Sequence, residues 1–183
     1  MLEVNFDPFP ILETNRLILR KIILEDADDY FEMRNNVDTM KYICKPVQTS
    51  VEETKEKILR INDMINFNDG IGWAVCLKTN NQMIGTISFH KLIKEHYRAE
   101  LGYMLNPKFW KQGITTEAVK VVIDFGFNQM HLHSIEAHID PANKGSEKLL
   151  QKCTFTREAY FKENYYFNGK FLDTAVFSLI NPF

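Results

Sequence analysis

The chain has 183 residues, of which 45% are hydrophobic and 13% aromatic, and a formal net charge of -2 with an isoelectric point near 6.2. This length and composition fit one folded domain, which we place over residues 1–183, and argue against a disordered chain. The slight acidity argues against nucleic acid or an anionic membrane as the partner, since both attract basic surfaces.

Cysteine usage and the N-terminal sequence favour a cytoplasmic protein. The cysteines Cys44, Cys76 and Cys153 lie far apart, and their odd number and spacing suit neither a disulfide framework nor a zinc site. The N-terminus lacks a basic stretch followed by an apolar run, and no apolar run approaches the ~20 residues of a membrane span. We therefore expect reduced thiols and no metal.

The first half of the chain predicts a strand, two helices and a hairpin. Alternating leucines predict a strand over 16–22, and the acidic start of LEDADDYFEMRNN predicts a helix. VDTMKYICKPVQTS has no clean period, so we expect a loop there. Ser50 and Glu53 form a capping-box pattern ahead of a helix over roughly 51–67. GWAVCLK and MIGTISFHKLI, separated by TNNQ, predict a hairpin.

The second half predicts strands that alternate with helices. YRAELGYML alternates until Asn106-Pro107 stops it, and residues from about 116 to 130 form a helix that is apolar on most sides. SIEAHI predicts a strand, and NKGSEKLLQKC predicts a helix whose apolar stripe includes Ser146. Two β-rich runs flank Asn168-Gly169, which predicts a final hairpin. This order predicts one α/β or α+β domain.

Gly113, in the stretch WKQGITTEAV, raises the question of an anion site. A helix N-terminus exposes unpaired N–H groups, and a glycine lets a phosphate approach the backbone. Lys111 adds charge, and Thr115 and Thr116 add hydroxyl donors. Taken alone, the stretch favours a plain strand-to-helix turn with a threonine cap, and it lacks the Gly-Lys-Ser/Thr of nucleotide hydrolases.

Four blocks in order, between residues 12 and 180, resemble the GCN5-related N-acetyltransferases (GNAT), and among them the RimJ/RimL-type branch. The blocks are ETNRLILR, ELGYMLNPKFWKQGITTEAV, EAHIDPANKGSEKLLQKCTF and NGKFLDT. The resemblance implies a GNAT fold, with a mixed, mostly antiparallel sheet of about seven strands, a splayed central pair and about four flanking helices. It also implies acetyl-CoA as the donor and a primary amine, on a protein N-terminus or a small molecule, as the acceptor.

The resemblance places the donor site along the central strand and the turn after it. Backbone groups near Met104, Leu105 and Asn106 would bind the pantetheine arm, and one N–H would polarise the thioester carbonyl. The family's pyrophosphate turn, Gln/Arg-x-x-Gly-x-Gly/Ala, maps onto Trp110, Lys111, Gln112, Gly113, Ile114 and Thr115, with Thr116 following. Lys111 and Thr115 replace the usual small residues, which either tightens the turn or lets Lys111 assist the phosphates.

The resemblance also assigns roles on the last helix. Asn143 would bond the pantetheine or the substrate-side backbone, and Ser146 matches the position that protonates the leaving thiolate. The inward placement of Ser146 requires a partner, and the alternative is a bond to its own helix backbone. The same helix ends in Cys153-Thr154-Phe155 where the family has Gly-Phe, so we expect a differently closed helix end.

Glu100 is the favoured base or water-holder, since it lies on the strand that leads to the splayed gap. A base there needs a raised pKa, and the alternative is a solvated glutamate paired with Arg98. Glu163 and His138 are the reserve candidates, although His138 is better explained as an ordinary strand residue.

The acceptor and the assembly are left open by the sequence. The segment TMKYICKPVQTS and the final hairpin would shape the acceptor pocket, where Tyr165 and Tyr166 pack or line the wall. A coenzyme A-binding sensor or interaction domain without catalysis is the alternative function. We expect a monomer or a homodimer.

Overall fold

The β-rich runs of the sequence assemble into one open, eight-stranded sheet. The computed structural model describes residues 1–182. Its strands are β1 Leu12–Glu13, β2 Leu17–Lys21, β3 Ile71–Leu77, β4 Met83–Ile93, β5 Arg98–Leu105, β6 Ser134–Ile139, β7 Thr156–Phe167 and β8 Lys170–Ile180. Their order is β1-β2-β3-β4-β5-β6-β8-β7, and only β5 and β6 are parallel neighbours. The expected mixed, mostly antiparallel sheet is confirmed.

Five α-helices flank this sheet within the described residues. They are α1 Ala27–Arg34, α2 Val37–Met40, α3 Val51–Asn66, α4 Ile114–Asn128 and α5 Lys144–Lys152. Ser50 caps α3, because its side chain accepts from the Glu53 N–H at 3.2 Å. The Glu53 carboxylate instead accepts from the backbone N–H and hydroxyl of Thr49, at 3.0 and 2.8 Å, so only half of the capping box forms.

The structure differs from the expected elements at three places. The short strand β1 adds an eighth member to the sheet, where about seven were expected. The predicted loop contains α2, which the Asn36 side chain caps by accepting from the Thr39 N–H at 2.9 Å. Helix α4 begins at Ile114, before the expected threonine. Across residues 1–182, no helix combines the length and apolar character that crossing a bilayer demands.

Two apolar clusters fix the helices on the two faces of the sheet. On one face α4 packs through Val122 and Phe125 around the fully buried Trp73, whose ring meets Phe125 edge-on at 5.4 Å. On the other face α1 and α3 pack through side chains such as Ile58. Burying each large apolar side chain contributes roughly 1.5–3 kcal/mol. Both faces of the central strands are therefore covered.

The central strands β5 and β6 separate after a short paired stretch, as expected. They pair only from Arg98 to Glu100 on β5, whereas β5 stays paired with β4 as far as Leu105. A register shift in β4, between Phe89 and Lys91, makes His90 the extra residue opposite the point of separation. Such a bulge increases local twist. The β6 side of β5 is consequently unpaired beyond Glu100.

The end of α5 closes in the way a Gly-Phe sequence would. Thr154 adopts φ +66°, and the N–H groups of Thr154 and Phe155 donate to the carbonyls of Gln151 and Leu150, both at 3.0 Å. This is the bonding pattern of a Schellman motif. The expectation of a different closure is wrong, since the threonine adopts the left-handed conformation at a cost of roughly 1–2 kcal/mol.

Candidate active site

Two neighbouring cavities lie at the gap between β5 and β6. A cavity of about 560 Å³, the donor cavity, lies along the N-termini of α4 and α5. A cavity of about 800 Å³, the acceptor cavity, lies between the sheet, α1, α3 and the final hairpin. Both are lined by Tyr42, Ile43, Tyr103, Met104, Asn143 and Ser146. Molecules bound in the two cavities would therefore both contact these side chains.

The end of β5 presents Leu105 to the donor cavity. The Asn106 N–H donates to the Ile84 carbonyl at 2.8 Å, so Asn106 is held by β4. Because antiparallel pairing alternates, the peptide groups of Met104 also face β4, and those of Leu105 face the gap. The Leu105 carbonyl accepts from the Trp110 indole N–H at 2.8 Å. Of the three predicted backbone contacts, the Leu105 N–H is the one this geometry directs toward a ligand.

The turn between β5 and α4 combines two left-handed residues. Gly113 has φ +77° and Lys111 has φ +61°. A Cβ added to Gly113 would meet only the Arg16 guanidinium, at 3.7 Å, so the backbone conformation, and not crowding within the chain, requires the glycine. Thr115 and Thr116 lie inside α4, and within the described chain no side chain caps this helix. The predicted alternative of a threonine cap does not form.

The donor cavity has the electrostatics of an anion site. The first-turn N–H groups of α4 lack partners within the helix, as they do at any helix N-terminus. Lys111, Lys148 and Lys152 line the cavity, against a single carboxylate from Asp38. Ile114 is buried beneath the turn, and Gln112 is exposed, with its side-chain amide donating to the Lys108 carbonyl at 3.1 Å.

Hydrogen bonds among Thr14, Arg16 and Glu117, which we call the latch, hold this turn to the N-terminal segment. They were not predicted from the sequence. The Arg16 guanidinium donates to the Gln112 carbonyl at 3.0 Å and to the Glu117 carboxylate at 2.8 Å. Glu117 also accepts from the Arg16 N–H and the Thr14 hydroxyl. Burial raises the pKa of Glu117, but these bonds outweigh it and hold the pKa below its usual value. Two features of the sequence could have indicated this contact: the carboxylate in the first turn of α4 and Arg16 in the block ETNRLILR.

Asn143 and Ser146 are brought together where the cavities meet. The Asn143 side-chain oxygen accepts from the Ser146 N–H at 3.0 Å and caps α5. The buried Ser146 hydroxyl lies 2.5 Å from the Tyr103 hydroxyl, so the alternative of a bond to its own helix backbone does not form. Burial raises the pKa of Tyr103 to about 12, although the Ser146 bond opposes the rise. A role for Tyr103 in this site was not predicted from the sequence.

Glu100 pairs with His90, and not with Arg98. His90 Nε2 lies 3.3 Å from the Glu100 carboxylate, whose side chain is 16% exposed. The His90 hydrogen bond outweighs burial and lowers the pKa of Glu100. Arg98 instead pairs with Glu136 at 2.8 Å. Glu100 therefore lines the acceptor cavity as a carboxylate that is ionised at neutral pH, and the raised pKa expected of a base is not observed.

The neighbouring acidic groups are held by protein partners. One oxygen or nitrogen each of Glu100, Glu136 and His138 lie within 4.8 Å of one another, close enough to surround a cation. Arg98 already neutralises Glu136, and His138 lies 3.5 Å from the same carboxylate. These side chains therefore form a network of paired charged and polar groups at the point where β5 and β6 separate.

The final hairpin and the segment before α3 both reach the acceptor cavity, as the sequence suggested. Tyr165 lines the cavity and donates its hydroxyl to the Cys44 carbonyl at 3.2 Å. Tyr166 is 63% exposed and packs on Phe171. Glu163 is exposed on β7 and does not line the cavity.

Comparison with known proteins places the chain in a family. The model of the acetyltransferase (GNAT) domain matches residues 16–156, so the chain belongs to the GNAT family and is an N-acetyltransferase. It is 35% identical over 174 residues to the uncharacterized N-acetyltransferase YoaA of Bacillus subtilis, covering 95% of this chain and 98% of that one. It is also 22% identical over 155 residues to the spermidine N(1)-acetyltransferase of Escherichia coli, covering 84% and 80%.

Solved structures share the fold. A GNAT-family acetyltransferase from Bacillus anthracis superposes with a TM-score of 0.84 at 29% identity, covering 93% of this chain and 98% of that one. RimL, a ribosomal L7/L12 alpha-N-protein acetyltransferase in complex with coenzyme A, has a TM-score of 0.86 at 20% identity, with coverage of 93% and 98%. The resemblance to GNAT proteins of the RimJ/RimL type is thus confirmed.

Proposed function

We propose that this N-acetyltransferase moves an acetyl group from acetyl-CoA to a primary amine by direct attack of the amine on the thioester. The observation that carries the proposal is the gap between β5 and β6, where the donor and acceptor cavities meet beside Ser146 and Tyr103. The direct route needs both substrates together, and two cavities that share lining residues accommodate that.

The donor cavity would hold acetyl-CoA, which supplies the acetyl group. The first turn of α4 and the lysines Lys111, Lys148 and Lys152 would hold the phosphates. The Leu105 N–H would orient the thioester carbonyl and stabilise the charge that grows on its oxygen. Lys111 is exposed at the cavity wall, so its side chain can turn toward the phosphates without filling the turn.

The pair Tyr103–Ser146 would deliver a proton to the leaving sulfur. As the C–N bond forms and the C–S bond breaks, Ser146 donates to the thiolate, Tyr103 replaces that proton, and Tyr103 regains a proton from water. A phenol with a pKa near 12 is protonated at neutral pH and so is loaded for this step. Coenzyme A then leaves as the free thiol.

Glu100 would hold the acceptor and receive its proton. An ionised carboxylate attracts an ammonium group and takes, directly or through water, the proton that the nitrogen must lose before it attacks. His90 keeps this carboxylate oriented toward the acceptor cavity. The low pKa makes Glu100 a weak base, so positioning is its larger contribution.

A panel of amines tests the proposal. The acceptors are spermidine, short peptides with free N-termini, aminoglycosides and simple amines, and the measurement is release of free coenzyme A. A thermal shift with acetyl-CoA is recorded alongside. Stabilisation together with thiol release supports transfer. Stabilisation without release from any amine supports the alternative, a coenzyme A-binding sensor, which the weak basicity of Glu100 would favour.

A further inference from the structure

We infer that the acceptor carries an anionic group, a carboxylate or a phosphate, in addition to its amine, and that Arg34 and Lys57 bind that group with Lys45 and Arg60 beside them. The inference rests on the proposed function, because it describes the acceptor cavity of that reaction. It names the acceptor as a small zwitterion.

Arg34 is a buried cation without a counter-ion. It lies at the end of α1, is 8% exposed and lines the acceptor cavity. Its Nε is buried with no hydrogen-bond partner among residues 1–182, and its Nη2 makes only a long 3.5 Å contact with the Pro46 carbonyl. Burial lowers the pKa of Arg34. A buried guanidinium without a carboxylate is costly unless a ligand supplies the negative charge.

Three more cations line the cavity together with Arg34. Lys57 and Arg60 come from α3, and Lys45 from the segment before it, and all line the same cavity. Burial and then the charge of Arg34, followed by those of Arg60 and Lys45, lower the pKa of Lys57. In the described part of the chain, neither lysine has an ion pair, and Arg60 meets only the exposed Glu56 at 3.8 Å. Like charges gathered without acids repel unless an anion lies among them.

The charges of the acceptor cavity are segregated by structural element. The cations all come from α1, α3 and the segment before α3. The acids come from the sheet side, namely Glu100 on β5, Asp140 after β6 and Asp173 on β8. A ligand with an ammonium group at Glu100 and an anionic group at Arg34 would pair with the charges on both sides of the cavity. A volume of about 800 Å³ suits one small molecule.

The first test compares acceptors in matched pairs that differ only in the anion. One pair is an amino acid and its amide, and the other is phosphoethanolamine and ethanolamine. We expect the anionic member to have at least about tenfold higher kcat/KM, corrected for the fraction of neutral amine. The pair with the larger ratio identifies carboxylate or phosphate as the group. Equal kcat/KM values in both pairs, or higher values for the uncharged members, overturn the inference.

The second test alters the cation site. Lys57→Gln removes the charge from the cavity, Lys57→Arg keeps it, and Lys55→Gln is the matched control on the exposed side of α3. We expect the ratio within each pair to fall toward one in Lys57→Gln and to persist in the other two variants. A ratio that persists in Lys57→Gln contradicts the assignment.

The third test needs no activity. Inorganic phosphate is titrated into protein saturated with coenzyme A, which blocks the donor cavity. We expect binding that weakens by about tenfold in Lys57→Gln and is unchanged in Lys55→Gln. Equal binding of phosphate by both variants overturns the inference, and so does absent binding when acetate, titrated in the same way as the carboxylate probe, does not bind either. If no amine reacts although acetyl-CoA binds, the proposed function fails, and this titration still decides whether the anion site exists.

Discussion

At the scale of single residues, Glu100 shows how a partner changes the role of a carboxylate. The sequence placed it correctly on the strand leading to the gap. The β4 bulge then brings His90 to it, and that hydrogen bond lowers the pKa of Glu100. A glutamate that stays ionised binds a cation well and takes a proton less readily. The role proposed for Glu100 therefore depends on a residue that strand alternation alone did not place nearby.

Glu100→Gln should lower kcat/KM by about tenfold to a hundredfold, the worth of a charged hydrogen bond. Because the folded pKa lies below the usual value, the carboxylate is ionised throughout the neutral range. The ratio of wild type to variant should stay constant from about pH 6 to 9 and shrink only as pH falls through the folded pKa, which lies below that of an ordinary glutamate. Steady-state rates across pH provide the measurement.

The exposed Glu163 supplies the control, and Glu163→Gln should leave the rates unchanged. A wild-type rate that titrates near neutrality, and loses that titration in Glu100→Gln, would show that Glu100 is a base of raised pKa instead.

Tyr103→Phe should lower kcat by about tenfold while leaving the KM for acetyl-CoA nearly unchanged. The variant keeps the ring and removes the hydroxyl that lies 2.5 Å from Ser146. Ser146→Ala should have a similar effect, and the double variant should be no worse than the poorer single one, since the two act as one unit. Thiol release measures all three.

Tyr166→Phe removes an exposed hydroxyl from the hairpin and should be neutral. Additive losses in the double variant would mean that Tyr103 and Ser146 act independently.

The sequence predicted which side chains point into the site, but it did not predict which side chains pair with one another. The apolar stripe of α5 correctly placed Ser146 inward, because periodicity reports which face of one element is buried. Its partner lies 43 residues away on β5, and no periodic pattern encodes that contact. The same holds for Glu100, whose alternative partner Arg98 sits on the same strand face but reaches across to Glu136.

At the scale of elements, the turn before α4 depends on backbone conformation. Gly113→Ala forces a side chain to φ +77°, and among residues 1–182 its Cβ would make only an ordinary contact with Arg16. We expect weaker acetyl-CoA binding, by about fivefold for a strain of ~1 kcal/mol. Gly113→Asn should be closer to wild type, since asparagine tolerates the left-handed region. Isothermal titration of acetyl-CoA compares them. Equal losses in both variants would point to crowding of the ligand.

The elements themselves were largely readable from the sequence. Long periodic runs located α3, α4, α5 and the two hairpins, and the expected helix start near residue 116 missed by two residues. The short elements β1 and α2 were missed, because two to four residues hold no detectable period and form only through tertiary contacts. The splayed pair was expected from family resemblance and not from periodicity.

At the scale of the whole molecule, the latch formed by Thr14, Arg16 and Glu117 connects the N-terminal segment to the turn between β5 and α4. Glu117→Gln should destabilise the fold by about 1–2 kcal/mol, since Arg16 is half exposed and the pair is partly screened. The melting temperature should fall by roughly 2–8 °C near neutral pH. Acetyl-CoA affinity should fall as well, because the Gln112 carbonyl loses a firmly held partner.

The sign of the pH dependence follows from the lowered pKa of Glu117. The carboxylate contributes stability above its unfolded pKa and loses that contribution as pH falls through the folded pKa. The difference between wild type and Glu117→Gln should therefore vanish in acid. Asp124→Asn, on the exposed side of α4, is the control. A gap in melting temperature that is unchanged by acid would rule out the ionic origin.

The latch also sets the order in which the molecule can be completed during synthesis. The Arg16 N–H and the Glu117 carboxylate are 101 positions apart. Contacts of such sequence separation form late, after the loop between them has closed. A nascent chain can build the β3–β4 hairpin early, yet the turn before α4 stays unpinned until α4 has left the ribosome and met Thr14 and Arg16. This turn is thus among the parts of the fold that are completed late.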